Sequence, residues 1–324
     1  MKIVQQQRAP AGAELTTTLT PRKNYKWLMV KRNKALYLFI LPAFLYFFIF
    51  AYIPMYGVQI AFKDFIATKG FGGSPWADPI LKHFITFFSS VRFGEILWNT
   101  VRISLYYLLV SFPAPIILAL MINEVRSTRF KRLVQNITYI PYFISTVVLV
   151  GMIDLFFSNS GLMNQLIGLF GLEPVLFLQK ESLFDHMYVW SGVWQATGYG
   201  SVIYFAALAG VSPELHEAAT IDGATRLQRV IHINIPAIMP TIIIMLIISV
   251  GGIMNVSFEK VLLMQKDINI ASSEVISTYV YKLGLQKAQY SLSSAVGLFN
   301  NLINLALLIM VNRIARKVGE TSLW

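Results

Sequence analysis

Cysteine is absent from the chain. That removes disulfide frameworks and thiolate metal sites, and it leaves the compartment open. Charge is also scarce. Charged residues make up 13% of the 324 positions, against about 25% in a typical soluble domain, which excludes an ordinary soluble enzyme of this length. Other absences narrow the chemistry. No GxxxxGK[ST] run occurs, so the chain cannot cradle ATP phosphates in a P-loop, and energy for any driven process must come from another polypeptide. No GxSxG occurs either. The HEAAT run at 216–220 fails as a zinc HExxH site, because Thr220 stands where the second His is required. The four histidines, His83, His186, His216 and His232, are scattered. No catalytic constellation, no metal site and no cofactor of its own are expected.

Apolar residues are abundant instead: 56% of the chain is hydrophobic and mean hydropathy is +0.59. A membrane span needs about 20 mostly apolar residues. Six stretches qualify, at 36–60, 97–122, 133–157, 187–210, 236–256 and 290–312. The runs are unbroken, without the alternating segments of about ten residues that a barrel would show. The expected fold is therefore all-α, a polytopic membrane protein with six transmembrane helices. The first stretch does not read as a cleavable signal peptide, since 35 residues precede it and no small-x-small pattern follows. Residues 1–35, rich in Gln, Thr and Pro, read as a basic disordered tail. Residues 36–96 hold the first span and an extracytoplasmic loop, 97–313 the remaining spans, and 314–324 a short C-terminal tail.

The net charge of +11, in so apolar a chain, reads as a topology signal and not as a nucleic-acid footprint. The two tails and the 123–132 and 211–235 loops carry 17 Lys/Arg, and the three remaining loops carry nine. Cytoplasmic loops hold the excess of Lys/Arg, so both termini are expected in the cytoplasm.

The segment from Ser212 to Pro240 reads SPELHEAATIDGATRLQRVIHINIPAIMP. Ser212 can cap a helix, Pro213 suits its first position and Glu214 complements its dipole. Asp222-Gly223 marks a turn. An amphipathic stretch follows, and Pro236 opens the next span. The expectation is two short cytoplasmic helices bent at a glycine. Two alanines, Ala218 and Ala219, let backbone enter a cleft, Gly223 permits a sharp bend, and Glu217 offers charge to a basic partner.

The spacing of Glu217-Ala218-Ala219, then Gly223, then Ile233-x-Ile235-Pro236, resembles the EAA loop of ABC importer permeases of type I. Ile235 stands where that family usually has Leu. Leu41 to Phe65 and the closing Glu320-Thr321-Ser322-Leu323-Trp324 resemble the complex-sugar and polysaccharide subgroup, alginate-type importer permeases above all. Asn99-Thr100 is similar to the start of the shared permease core, which would then run over 97–313. The resemblance implies a transport subunit of the bacterial cytoplasmic membrane and not an enzyme. It implies a second, related permease, two ATP-binding subunits that hold the ATP, and an extracytoplasmic solute-binding protein. Glu217, Ala218, Ala219, Asp222, Gly223 and Pro236 would couple the ATPases to the spans.

Candidate saccharide contacts each have a plainer reading. Arg102 could meet a sugar carboxylate, or pair with Asp154, or snorkel to the membrane surface. Trp194 could stack on a sugar ring, or belong with Trp190 to an interfacial aromatic belt. Asn255, Asn300 and Asn304 could bond hydroxyls, or bond between helices. An ion-coupled secondary sugar transporter is the rival reading. It needs intramembrane carboxylates, and only Asp154 is available among the spans.

Overall fold

The computed structural model describes residues 32–319 and 322–323. Most of the expected N-terminal tail lies outside the described residues, as do Glu320, Thr321 and Trp324. Among the described residues no strand forms, and the only extended pairing is an isolated bridge between Lys63 and Trp76. The principal helices in chain order are α1 (Lys34–Phe47), α2 (Phe93–Ser111), α3 (Pro113–Asn123), α4 (Thr128–Tyr139), α5 (Thr146–Phe156), α6 (Glu181–Ala209), α7 (Pro213–Ile221), α8 (Ile235–Gly251), α9 (Phe258–Met264), α10 (Ile276–Tyr281) and α11 (Tyr290–Gly319). The chain divides into two compact units, Met1–Gly57 and Val58–Trp324. In the first unit, α1 buries none of its side chains. A helix apolar on every face is suited to lipid.

Among the described residues, four helices are long and apolar enough to cross a membrane: Lys34–Phe62, Phe93–Asn123, Arg226–Gly251 and Tyr290–Lys317. The third expected span, 133–157, is not one straight helix. Thr128–Phe143 and Thr146–Phe156 meet at a bend of 98°, and as one broken span they raise the count to five. Pro141 lies in a 3-10 turn at Ile140–Phe143, and Ser145, with ψ 153°, restarts the helix by accepting from the Val148 N–H at 3.3 Å. A proline that cannot donate, followed by a strong N-cap, breaks a helix at this spacing. The fourth stretch, 187–210, lies within α6, a single helix of 29 residues. It is long enough to span, but Asp185, His186 and Gln195 make it less apolar than the others.

Two other boundaries differ from expectation. Pro236 stands in the first turn of α8, but no break precedes it. The helix is continuous over Arg226–Gly251, and a π-turn at Val230–Asn234 precedes Pro236, with the Ile235 N–H bonding to the Val230 carbonyl. The wider turn accommodates a ring that would collide with an ordinary α-turn. The C-terminal tail expected over 314–324 begins as helix, because α11 runs on through Arg316 and Lys317, cations that suit a helix C-terminus.

Residues 257–289, expected as a loop, are largely packed. Val261, Met264, Val275, Ile276 and Leu283 are all buried there. Val261, Met264 and Val275 share a core with Ile103 of α2, Leu149 and Ile153 of α5, and Val189 of α6. Lipid tails supply little hydrophobic drive between helices, so hydrogen bonds and packing carry the specificity. Asn99 donates to the carbonyls of Ala271 (2.7 Å) and Glu274 (3.2 Å), and the Ile276 N–H donates to Thr100 Oγ1 (2.9 Å). Asn99 and Thr100, the residues that mark the start of the core in sequence, thus stitch this segment to α2.

Candidate functional site

Residues 212–229 fold as an elbow. Ser212 accepts from the Glu214 N–H at 3.3 Å and starts α7. The helix ends at Gly223, whose φ is +76°. The Ala224 N–H reaches the Ala219 carbonyl (2.8 Å) and the Gly223 N–H the Thr220 carbonyl (3.1 Å), the two bonds of a Schellman stop. A left-handed φ is why glycine stands here, since space around it is open. Thr225 and Gln228 form a capping box for the second arm, and Arg229 Nη1 ties it back to Thr220 Oγ1 at 2.7 Å. The elbow is rigid in its backbone yet open in its side chains. Glu217, Ala218, Asp222, Gly223 and Pro236 are exposed, and Ala219 is half-buried. The apolar Leu215, Ile221 and Leu227 are exposed as well. A helix that buries none of its residues while showing Leu and Ile is a docking surface in shape and chemistry.

A cavity of about 360 Å³ opens between α2, α3, α6 and α8. Tyr107, Tyr188 and Tyr204 supply aromatic walls, and Ser104, Ser111, Ser249 and Ser257 supply hydroxyls. Ser104 Oγ is buried without a hydrogen-bond partner. Aromatic faces with hydroxyl and amide groups between them match a sugar, which is apolar on its C–H faces and polar at its edges.

The five candidate pathway residues separate. Asn255 lines this cavity. Asn300 and Asn304 of α11 stand behind it, each donating to Asn255 Oδ1, at 3.1 and 3.0 Å. Asn304 Oδ1 also accepts from the Met254 N–H at 3.0 Å. Asn300 and Asn304 therefore hold Asn255 in place. Trp194 lines a different cavity, of about 380 Å³, together with Trp190, Thr138 and Pro141. Arg102 does not pair with Asp154. It makes a two-point contact with Asp185, 2.6 and 3.1 Å, and donates to the Ser272 carbonyl at 3.0 Å. Asp154 instead pairs with Lys266 at 3.4 Å. The new partners, Asp185 and Lys266, lie in segments read from sequence as loops.

Several lining residues escaped the sequence reading. Ser104, Tyr107 and Ser111 recur at helical spacing along one face of α2, a polar stripe in an apolar run that could have revealed them. Tyr188, Gly200 and Tyr204 follow a four-residue repeat along α6.

Comparison with known proteins agrees with this geometry. Residues 111–320 match the family described as binding-protein-dependent transport system inner membrane component. The chain is 41% identical to the protein LplB of Bacillus subtilis (strain 168), over 94% of this chain and 96% of that one. It is 40% identical to the polygalacturonan/rhamnogalacturonan transport system permease protein YteP of the same organism, over 98% of each. Among solved structures, it superposes with TM-score 0.84 and 40% identity on a chain of a bacterial alginate ABC transporter in complex with an alginate pentasaccharide-bound periplasmic protein, covering 92% of this chain and 99% of that one. An exposed elbow between spans, a polar-aromatic cavity among them and a family match over most of the chain lead to one conclusion: the chain belongs to the binding-protein-dependent inner-membrane permeases of ABC importers.

Proposed function

We propose that this chain is one half of the translocation path of an ATP-driven importer for an oligosaccharide, and that the saccharide is acidic. It works with a second, related permease, two ATP-binding subunits and an extracytoplasmic solute-binding protein. It crosses the membrane six times, with α6 and the bent α4–α5 pair each counted as a span, and both termini are cytoplasmic. The observation that carries the reading is the elbow over 212–229: a Schellman-stopped helix that shows Leu215 and Ile221 to the outside and is continuous, through the π-turn, with α8. ATPase closure acting on that elbow would move α8, and with it the cavity wall at Ser249 and Asn255. The relatives that transport polygalacturonan/rhamnogalacturonan and alginate support an acidic cargo.

The carboxylates that an ion-coupled carrier would need are occupied. Asp154 is held by Lys266, and Glu274 lies between Arg92 and Lys282. The test is reconstitution of the complete complex in proteoliposomes with the binding protein outside and ATP inside. ATP-dependent uptake of labelled uronic-acid oligomers is the expected result. Uptake driven by an ion gradient without ATP would overturn it.

A further inference from the structure

Several cations of the outer half are neutralised, and the buried Lys63 is held by the Phe71 carbonyl and the Trp76 ring. Asp185 holds Arg102, Asp154 holds Lys266, and Glu274 holds Arg92 and Lys282. Lys260 differs. It is 5% exposed, and among the described residues no carboxylate forms an ion pair with it. Its Nζ donates to the Tyr188 carbonyl at 2.8 Å and stands 4.7 Å over the Tyr188 ring. An ammonium buried without a counter-ion is costly, and burial pushes it from its ordinary 10.5 down to about 7.

The placement gives that cost a purpose. Tyr188 and Tyr107 both line the 360 Å³ cavity. A Cβ added at Gly192 would come 2.8 Å from Tyr107 Cε2 and 3.1 Å from Lys260 Nζ, so the ring and the ammonium converge on the same bare stretch of α6 backbone. Ser257, three residues before Lys260, lines the cavity itself. The ammonium therefore stands about one aromatic ring behind the wall, on a stem rooted at the cavity's edge.

We propose that Lys260 is the carboxylate-recognising group of this cavity, attracting the carboxylate of a uronic-acid unit across the tyrosine wall and so favouring acidic over neutral saccharides. This deepens the functional reading above and rests on it. An entering carboxylate supplies the counter-charge that the fold withholds, and across a wall of low dielectric, with no salt between, the attraction is little screened. A neutral sugar gains nothing comparable. The competing role is a structural tether, in which Lys260 only satisfies the Tyr188 carbonyl.

The two roles separate by substitution. Lys260→Gln keeps a donor and loses the charge; Lys260→Arg keeps the charge. Uptake by the complete complex is measured with a uronic-acid tetramer and with its carboxyl-reduced, neutral counterpart. If the wild type carries neither, the saccharide reading itself falls. If it carries the acidic tetramer, Lys260→Gln should lower the acidic-to-neutral ratio about tenfold or more, and Lys260→Arg should retain it. Equal loss of both substrates, or an unchanged ratio, would overturn the proposal.

A second measurement decides the matter even where the Gln variant fails to assemble. At sub-saturating substrate the wild-type ratio should fall as pH rises from 6 to 9 through loss of the Lys260 proton, and the Lys260→Arg ratio should not. The titratable and charged groups on the surrounding elements include Arg102, Tyr106 and Tyr107 on α2, Asp154 on α5, Asp185, His186 and Tyr188 on α6, Glu259 on α9 itself, Tyr279 and Tyr281 on α10, and Lys266, Glu274 and Lys282. All are common to both proteins and cancel in the comparison. Superimposable pH profiles for wild type and Lys260→Arg would overturn the assignment.

Discussion

Residues 257–289, between α8 and α11, bury Val261, Val275 and Ile276 almost completely. Residues 212–229, between α6 and α8, leave Leu215 53%, Ile221 86% and Leu227 68% exposed. Both stretches are broken, polar-flanked connections between apolar runs. The outer one satisfies its backbone internally, through Asn99, Thr100 and Arg102. The inner one satisfies its backbone locally, through a Schellman stop and a capping box, and leaves its side chains free. A segment that closes its own hydrogen bonds can be rigid without being buried. The contrast fits the proposal that the outer stretch packs into the body of the permease and the inner one meets a partner.

The contrast breaks most severely at Glu274. This carboxylate is 2% exposed and bonds Lys282 at 2.9 Å as well as Arg92. Glu274→Ala leaves two cations facing an emptied apolar site, at a cost of about 3 kcal/mol. The purified complex should melt at a clearly lower temperature. An unchanged melting temperature would mean that the outer stretch is not part of the packed wall.

Gly223→Val attacks the elbow. The residue must hold φ +76°, which costs a β-branched side chain roughly 1–3 kcal/mol, relieved by unbending. The permease should still insert and join its partner permease, while saccharide-stimulated ATP hydrolysis is lost. Normal coupling in this variant would detach the elbow from energy transfer.

Thr225→Ala is the mildest of the three. It removes one half of the capping box, worth about 1 kcal/mol at an exposed helix start. Coupled hydrolysis should fall partially, with melting unchanged. A loss as complete as that of Gly223→Val would point to direct contact by the Thr225 hydroxyl and not to capping.

Much of the inner region was legible in the sequence, because its determinants are local. A Ser-Pro-Glu start, an Asp-Gly stop and the EAA spacing each act within a few residues. The outer region was not legible, because its determinants are pairings across more than 70 positions. Arg102 with Asp185, Asn99 with the Ala271 carbonyl and Lys260 with the Tyr188 carbonyl leave no periodic trace. Charges in 257–289 weigh as loop charges, and charge is the usual mark of exposure, so a segment that buries Glu274 between two cations does not read as packed. The broken helix at Pro141 was signalled, by the proline and the following Ser145, but a window long enough to detect a span averages that break away.

The absence of native cysteine permits the most direct test of the elbow as the ATPase docking surface. A single Ala218→Cys places one thiol on exposed α7, and Leu172→Cys, at a position 64% exposed in the loop before α6, serves as the control. Each is labelled with a soluble maleimide in detergent, with the ATP-binding subunits present and after they are stripped. Ala218→Cys should be shielded in the full complex and labelled once the ATPases are removed, while Leu172→Cys labels equally in both. Equal labelling of Ala218→Cys with and without the ATPases would contradict the account.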